Sequence, residues 1–352
     1  MIDTDQQLAA FLRTLRSAAW VAVDTEADSL HAYPEKLCLI QISTAAGDEL
    51  VDPLAGMNID PMLEAIADHE VVMHAADYDL RMLKRHHAFT PRAIFDTMLA
   101  SRLLGGRQFG YSHLVEHYLG VTLEKGAQKA NWALRPLAPR LEAYARNDTR
   151  YLKPLADRLT ADLQAAGRLA WHQEACARLI RDSTRPSSVD PDAVWRIKGS
   201  QVLNRRALAV LRELWRWRER EAIAADRPPF FILSHEVLVA IAAAAAGHNP
   251  LETVLPKNIS DRWRAGLAKA VAEGLALHEE QLPNVVKRVI DRLSDADQKG
   301  VLDLQKLRDA RAAELGIDPT LIASRATLTD LARDWDEHAG ELMAWQRELM
   351  TP

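Results

Sequence analysis

The sequence predicts an α/β domain with an early antiparallel meander and helices packed on its sheet, followed by all-α helical modules. Three observations carry this. Short apolar or β-branched runs occur between residues 21 and 75, helical periodicity takes over from there to residue 182, and no convincing strand pattern follows residue 200.

The first four runs, VAVD (21–24), LCLIQIS (37–43), DELVD (48–52) and EVVMHA (70–75), are bounded by turn formers and read as strands. The AAGD between the second and third reads as a hairpin connection. Helical patterns follow in DLRMLKRHH, DTMLASRLLG, SHLVEHYLG and the stretch 139–182, with Gly105–Gly106 as a stop. That order implies helices on a sheet. STRPSSVDPD (183–192) is rich in Ser, Pro and Asp and reads as a linker. Residues 200–283 then give amphipathic helices broken at ADRPPF, GHNP and LPKN, and residues 285–350 a second set broken at LGIDPT. Both sets open on a long helix carrying Leu and Arg, continue through a loop near Pro, and close on a shorter helix. The pattern is that of a duplicated small module.

Composition narrows the class. With 352 residues the chain can hold two or three domains, and 48% hydrophobic with 26% charged residues is ordinary for a globular protein. Cys38 and Cys176 cannot build a disulfide framework. MIDTDQQLAAF lacks the basic start and apolar core of a signal peptide, and VLVAIAAAAAG is too short to span a bilayer. The expectation is a cytoplasmic, soluble chain with no membrane and no disulfide-linked partner; the sequence leaves the oligomeric state open, with a monomer favoured. The formal net charge of −5 conceals a pattern: residues 196–220 carry eight Lys/Arg against two Glu, interleaved with Trp215 and Trp217. Such a stretch can be a solvated helix face or a surface for phosphate and bases.

Carboxylates carry the chemistry. Asp24 and Glu26 stand at i and i+2 on a strand and share one face. Tyr144 and Asp148 stand at i and i+4 on a helix and again share a face. HAADYDL offers Asp77 and Asp79 at a strand-to-helix junction, and spacing alone does not choose between them. Buried carboxylates in such number are costly unless cations bind them. Hard divalent ions take oxygen ligands, and a pair of them can stabilise both oxygens of a phosphodiester displacement. A phenol is too weak an acid, with a pKa of about 10, to be the base unaided, so Tyr144 is read as orienting the attacking water.

These residues and their order resemble the three motifs of the DEDD exonucleases, in the branch with tyrosine in the third motif. More closely the chain resembles the bacterial ribonuclease D family, on VAVDTEADSL, YPEKLCLIQIS, VDPL, HAADYDL, FDTMLASRLLG, YLGVTLEKGAQKANW with RPL, and YARNDTRYLKPL. The helical remainder resembles the helicase-and-RNase-D C-terminal (HRDC) module. LRELWRWREREA and RPPFFILSHEVLVAIA carry that likeness in residues 200–283, and a degenerate second copy fills 284–352.

The resemblance implies a ribonuclease-H-like exonuclease domain with a mixed sheet over residues 1–182, a linker over 183–199 and the two helical modules. It implies hydrolysis of RNA from a free 3′ end, with release of nucleoside 5′-monophosphates, in tRNA precursors above all. Two divalent cations, Mg²⁺ or Mn²⁺, would be held by Asp24, Glu26, Asp79 and Asp148, with Tyr144 and Glu26 as the catalytic residues. It selects Asp79 over Asp77, which is left as a helix cap. Asp96 is read as the N-cap of the next helix, and Asp28 and Asp52 as loop and turn residues.

RNA contacts are assigned to His74, Trp132, Arg205 and Arg206. His113 and His117 have the spacing of a zinc pair but no third ligand at a suitable distance. Asn131 and Leu141 depart from the residues many relatives carry there. Two readings outside this one stay open: a DNA exonuclease of the same superfamily, and a non-catalytic RNA-binding protein.

Overall fold

The computed structural model describes residues 1–124, 126–185, 190, 193–286 and 293–351. The sheet starts from β1 (Val21–Ala27), β2 (Leu37–Thr44) and β3 (Gly47–Val51), which form the expected antiparallel meander. The hairpin turns at Ala45 and Ala46, where Thr44 pairs Gly47. β4 (Glu70–Met73) then joins β1 in parallel, and β5 (Ala93–Asp96) joins β4 in parallel. The order β3-β2-β1-β4-β5 makes the sheet mixed.

β5 was not among the strands read from the sequence. Its four residues, AIFD, are too few to show a period, and Asp96 already serves as a cap. Two helices were also not singled out: α1 (Asp5–Arg16), with Thr4 and Gln7 as a capping box, and α2 (Asp60–Ala67).

Strand alternation sorts the side chains onto two faces. Val21 and Val23 of β1, Val71 and Met73 of β4, and Ile94 of β5 enter one core, together with residues of α1, α2, α3 (Asp77–His87) and α8 (Leu169–Thr184). Ala22, Val72 and Phe95 face the other way, into a core with α4 (Thr97–Leu103), α5 (Tyr111–Leu119) and α7 (Leu152–Ala165). The same alternation puts Asp24 and Glu26 on the second face, beside α6 (Pro139–Arg150), which packs on β1, β2 and β3.

Asp77 is corrected here. Helix α3 begins at Asp77 itself, its N-cap is Ala76 with no side-chain capping bond, and Asp77 instead pairs with Arg81 and accepts from Ser183 at 3.0 Å. The junction is organised by Asp96, as expected a cap. Its Oδ1 accepts from the N–H of Met98 and Leu99 at 2.8 and 2.9 Å, and its Oδ2 from Ala76 at 2.8 Å.

The chain forms two compact units: Met1–Ala27, Leu37–Arg185 and Asp291–Pro352 in one, Asp28–Lys36 and Pro186–Ile290 in the other. In the second, α9 (Arg205–Ala225), α10 (Pro229–Ile232), α11 (His235–Ala246) and α12 (Asp261–Ala276) enclose a core with Trp195 and Trp217.

The last helices, α13 (Asp295–Leu315), α14 (Pro319–Ile322), α15 (Arg325–Arg333), α16 (Trp335–His338) and α17 (Ala344–Met350), belong to the first unit. They share a core with α7, and Trp345 stacks on Trp171 at 4.9 Å. Arg168 bridges Leu103 O and Leu315 O, both at 2.7 Å. A Cβ at Gly105, whose φ is +87°, would stand 2.3 Å from Gly316 O, so only glycine permits that approach.

The two helical sets repeat one another closely. α9 and α13 each have 21 residues, and Arg218 and Arg308, Pro229 and Pro319, and Ser234 and Ser324 stand 90 positions apart. Each of the two Arg side chains, nearly buried, donates to a carbonyl just after the four-residue helix: Leu233 O at 3.4 Å and Ala323 O at 3.0 Å. Among the described residues no strand follows β5. The linker reading runs through residues 186–189 and 191–192, and the start of the second module through 287–292, all outside the described residues.

Asp96→Ala removes a cap and leaves three N–H groups without their acceptor, on an atom set that is 0% exposed. The expected loss is about 2–4 kcal/mol in urea unfolding at neutral pH, and a change under about 0.5 kcal/mol would refute this account of the junction.

Candidate active site

Strand β1 presents Asp24 and Glu26, and α6 is laid across its face by polar ties. Thr149 receives the Ser43 hydroxyl at 2.7 Å, Arg150 pairs with Asp48 at 2.6 Å, and Arg146 donates to Asp48 O. Pinned in this way, α6 points Tyr144 and Asp148 at β1. Oxygens of Asp24, Glu26 and Asp148 then lie within 4.8 Å of one another. Among the described residues this is the one group of three or more metal-binding side chains. His113 and His117 stack on each other at 6.1 Å and gather no third partner of that kind.

Asp79 falls outside the group of three. Its Oδ1 accepts both the N–H of Thr25 at 3.1 Å and the Thr25 hydroxyl at 2.5 Å. Because Thr25 lies between Asp24 and Glu26, the bond ties the β4–α3 junction to the strand that bears both. This brings Asp79 beside the cluster, and it raises the pKa of Asp24 and Glu26.

Their surroundings favour the protonated form of these carboxyl groups. Burial, then the neighbouring carboxylates, pushes Glu26 up to about 9 and holds Asp24 well above the usual range. Burial also raises Asp79 to about 7, against the Thr25 bonds, and Asp148 to about 8. Burial and the same carboxylates push the Tyr144 phenol upward. Such a set calls for positive charge. An all-carboxylate donor set, open to a cavity, suits hard divalent cations that keep some positions for water or phosphate oxygens.

That cavity, of about 510 Å³, is lined by Asp24, Glu26, Tyr144 and Asp148 together with His74, Tyr111, His113 and Gln128. His74 bonds Thr97 Oγ1 at 2.8 Å and stands 5.5 Å from the Tyr111 ring. Tyr111 donates to Asn147 O at 2.9 Å. Sequence reasoning missed Tyr111, Gln128 and Asn147.

Three sequence-based RNA contacts read differently here. Trp132 is 1% exposed, in a core cluster with Leu137 and Ala145 and 6.1 Å from Tyr144, so it cannot stack a base. Arg205 donates to Glu279 O and Leu282 O at 3.0 Å. Arg206 donates to Leu275 O at 3.1 Å, to Leu277 O at 2.5 Å and to Glu279 at 2.7 Å. Both guanidinium groups tie α9 to the chain after α12. Three more of the basic stretch are paired as well: Arg212 and Arg216 with Glu213, and Arg218 with Glu219. Sequence shows the charges but not the carboxylates and carbonyls folded against them.

The resemblance motifs outside the cluster are structural. Arg135 of RPL grips Asp52 through two bonds of 2.5 and 2.7 Å and donates to Cys38 O at 2.8 Å, holding the segment before α6 against β2. Asn131 caps the Ala133 N–H at 3.1 Å, and Leu141 packs beside Trp132. Lys125 lies outside the described residues.

Comparison with known proteins agrees with this architecture. A family model described as 3′-5′ exonuclease matches residues 1–164, and an HRDC domain model matches residues 207–246. The ribonuclease D of Gluconacetobacter diazotrophicus is 33% identical over 99% of this chain and 90% of its own. The crystal structure of Escherichia coli RNase D, described as an exoribonuclease involved in structured RNA processing, matches with a TM-score of 0.76. It shares 26% identity and covers 99% of this chain and 97% of that one. A Bifidobacterium adolescentis protein shares the fold at a TM-score of 0.83 and 24% identity, over 99% and 94% of the two chains.

Carboxyl groups raised to about 7, 8 and 9 bind protons in the native state that the unfolded chain, with pKa values of about 4, has released. The metal-free protein therefore loses stability as pH rises from roughly 4 through 9. Melting temperature in EDTA should fall across that window, and Mg²⁺ should restore most of the loss at its alkaline end. Parallel profiles with and without Mg²⁺ would contradict the cluster as a cation site.

Proposed function

The chain belongs to the ribonuclease D family and is a 3′→5′ exoribonuclease, and from that premise we propose that it trims tRNA precursors at the carboxylate cluster, releasing nucleoside 5′-monophosphates. The observation that carries the site is the convergence of Asp24, Glu26 and Asp148 within 4.8 Å at the wall of a cavity that also holds Tyr144.

Divalent cations are the cofactor class this donor set fits, and the finer reading is two Mg²⁺ ions. Asp24, Glu26 and Asp148 would hold them, with Asp79 contributing the carboxylate oxygen not engaged by Thr25. When bound, such ions neutralise the charge of the phosphodiester, lower the pKa of water and stabilise the leaving oxygen.

The protein groups have separate tasks. Tyr144, kept protonated by burial and by the carboxylates around it, orients the attacking water by hydrogen bonding. Glu26, on the wall of the same cavity, fixes that water together with Tyr144. His74, tied to Thr97 at 2.8 Å, offers its remaining ring nitrogen to the substrate from the cavity wall. A single-stranded 3′ end enters this cavity of about 510 Å³.

We place this activity in the cytoplasm. No described helix is long and apolar enough to cross a membrane. A relative 33% identical across nearly the whole chain is a ribonuclease, which favours RNA over the DNA and non-catalytic readings.

Timed digestion of a 3′-extended tRNA tests the proposal. With Mg²⁺ it should yield a ladder shortening by single nucleotides from the 3′ end, with 5′-monophosphate products and no products in EDTA. Internal cuts, or equal rates on a matched DNA strand, would sink it. Asp24→Asn and Asp148→Asn should each cut the rate by about a thousand-fold or more while circular dichroism stays native. Tyr144→Phe should cost about a hundred-fold, with affinity for RNA retained; wild-type turnover in that variant would remove Tyr144 from the mechanism.

A further inference from the structure

Strand β2 is buried along its whole length, and one of its residues is a glutamine. Gln41 is 0% exposed, and neither its Oε1 nor its Nε2 has a hydrogen-bond partner in the protein. A buried amide left in this state is costly, and native cores seldom keep one unless a water, an ion or a catalytic task accounts for it. Leu would fill the same strand position at no such penalty, as Leu39 and Ile42 do nearby.

The register says what the amide faces. Gln41 pairs directly with Asp24 across the antiparallel β1–β2 ladder and with Leu50 of β3 on its other side. Residues directly opposite in such a ladder point to the same face, with Cβ atoms roughly 4.5–5.5 Å apart. The Gln41 side chain therefore rises beside Asp24, on the face that α6 covers. Its neighbours along β2 bracket it: Ser43 bonds Thr149 of α6, and Leu39 shares a core cluster with Ala145 of α6. The amide is enclosed beneath the stretch of α6 that bears Asp148.

Carboxylates that hold metal ions are themselves held by second partners, which fix their orientation. Asp79 has such a partner in Thr25. The Gln41 amide stands opposite Asp24, where Asp24 would receive one, and a water between the two would satisfy both groups. We propose that Gln41 is a positioning residue of the carboxylate cluster: its buried amide holds Asp24, through one trapped water, in the orientation that ligates a divalent cation. This rests on the reading of the cluster as a cation site.

Gln41→Met keeps the volume and removes the amide. Titration calorimetry of Mn²⁺ and of Mg²⁺ into the RNA-free chain should show about ten-fold weaker binding than wild type. The half-saturating Mg²⁺ concentration for nucleotide release should rise by a similar factor. Melting temperature in EDTA should stay level or rise, because an unpartnered polar group has gone. A purely structural role predicts the opposite pair of results, lower stability with unchanged ion affinity. Wild-type affinity in a folded Gln41→Met chain overturns the proposal, and Gln41→Leu repeats the test should the Met chain fail to fold. A wild-type chain that takes up no ion at all overturns the cation-site reading first, and this proposal with it.

Discussion

Mutual repulsion among enclosed carboxylates is the constraint on which the rest of the catalytic unit depends. Asp24, Glu26 and Asp148 crowd their oxygens within 4.8 Å, and Asp79 stands beside them. Left to themselves, such groups would separate or stay protonated: burial raises all four, and for Asp24 and Glu26 the neighbouring carboxylates add to it. The cluster persists because each member sits on an element fastened by other forces. β1 is a central strand hydrogen-bonded on both sides, α6 is pinned to β2 and β3 by Thr149, Arg146 and Arg150, and the Asp79 junction is closed by Asp96 and Thr25. Cations then gain what the fold has already arranged, since no ligand must be gathered at the moment of binding.

The final helical set extends this stiffness. It shares the core of α4, α5 and α7 and approaches α4 closely enough to require Gly105. Stacking of Trp345 on Trp171 and the Arg168 bridge fix it there. Its 90-position likeness to the α9–α11 set shows one helical plan used in two settings: one copy has its own core, and the other is fused to the catalytic domain.

Much of the site was legible because strand and helix periods convert spacing directly into shared faces. Asp24 with Glu26 and Tyr144 with Asp148 needed no tertiary knowledge to be paired. The choice of Asp79 over Asp77 did not follow from spacing and came from family resemblance. The structure adds a physical contrast, since Asp79 is buried on Thr25 while Asp77 pairs outward with Arg81. The reading of Asp77 as a cap failed because the chain reaches α3 through Ala75 and Ala76, and the capping acceptor arrives from Asp96, distant in sequence. Trp132 was misread for a related reason: an aromatic side chain looks the same in sequence whether it faces solvent or fills the interior.

The sequence by itself determined the local facts: which carboxylates share a face, where helices are capped and stopped, that strands end before the helical half begins, and that the helical half repeats. These depend on residues a few positions apart, and short-range periodicity encodes them. Tertiary structure alone decided which distant partners meet. It placed β5 in the sheet, buried Trp132, turned the Arg205 and Arg206 forks onto carbonyls, welded the last helices to the catalytic unit and set an unpaired Gln41 opposite Asp24. Those outcomes follow from packing and desolvation across long sequence separations, where a residue's surroundings, and not its type, settle what it does.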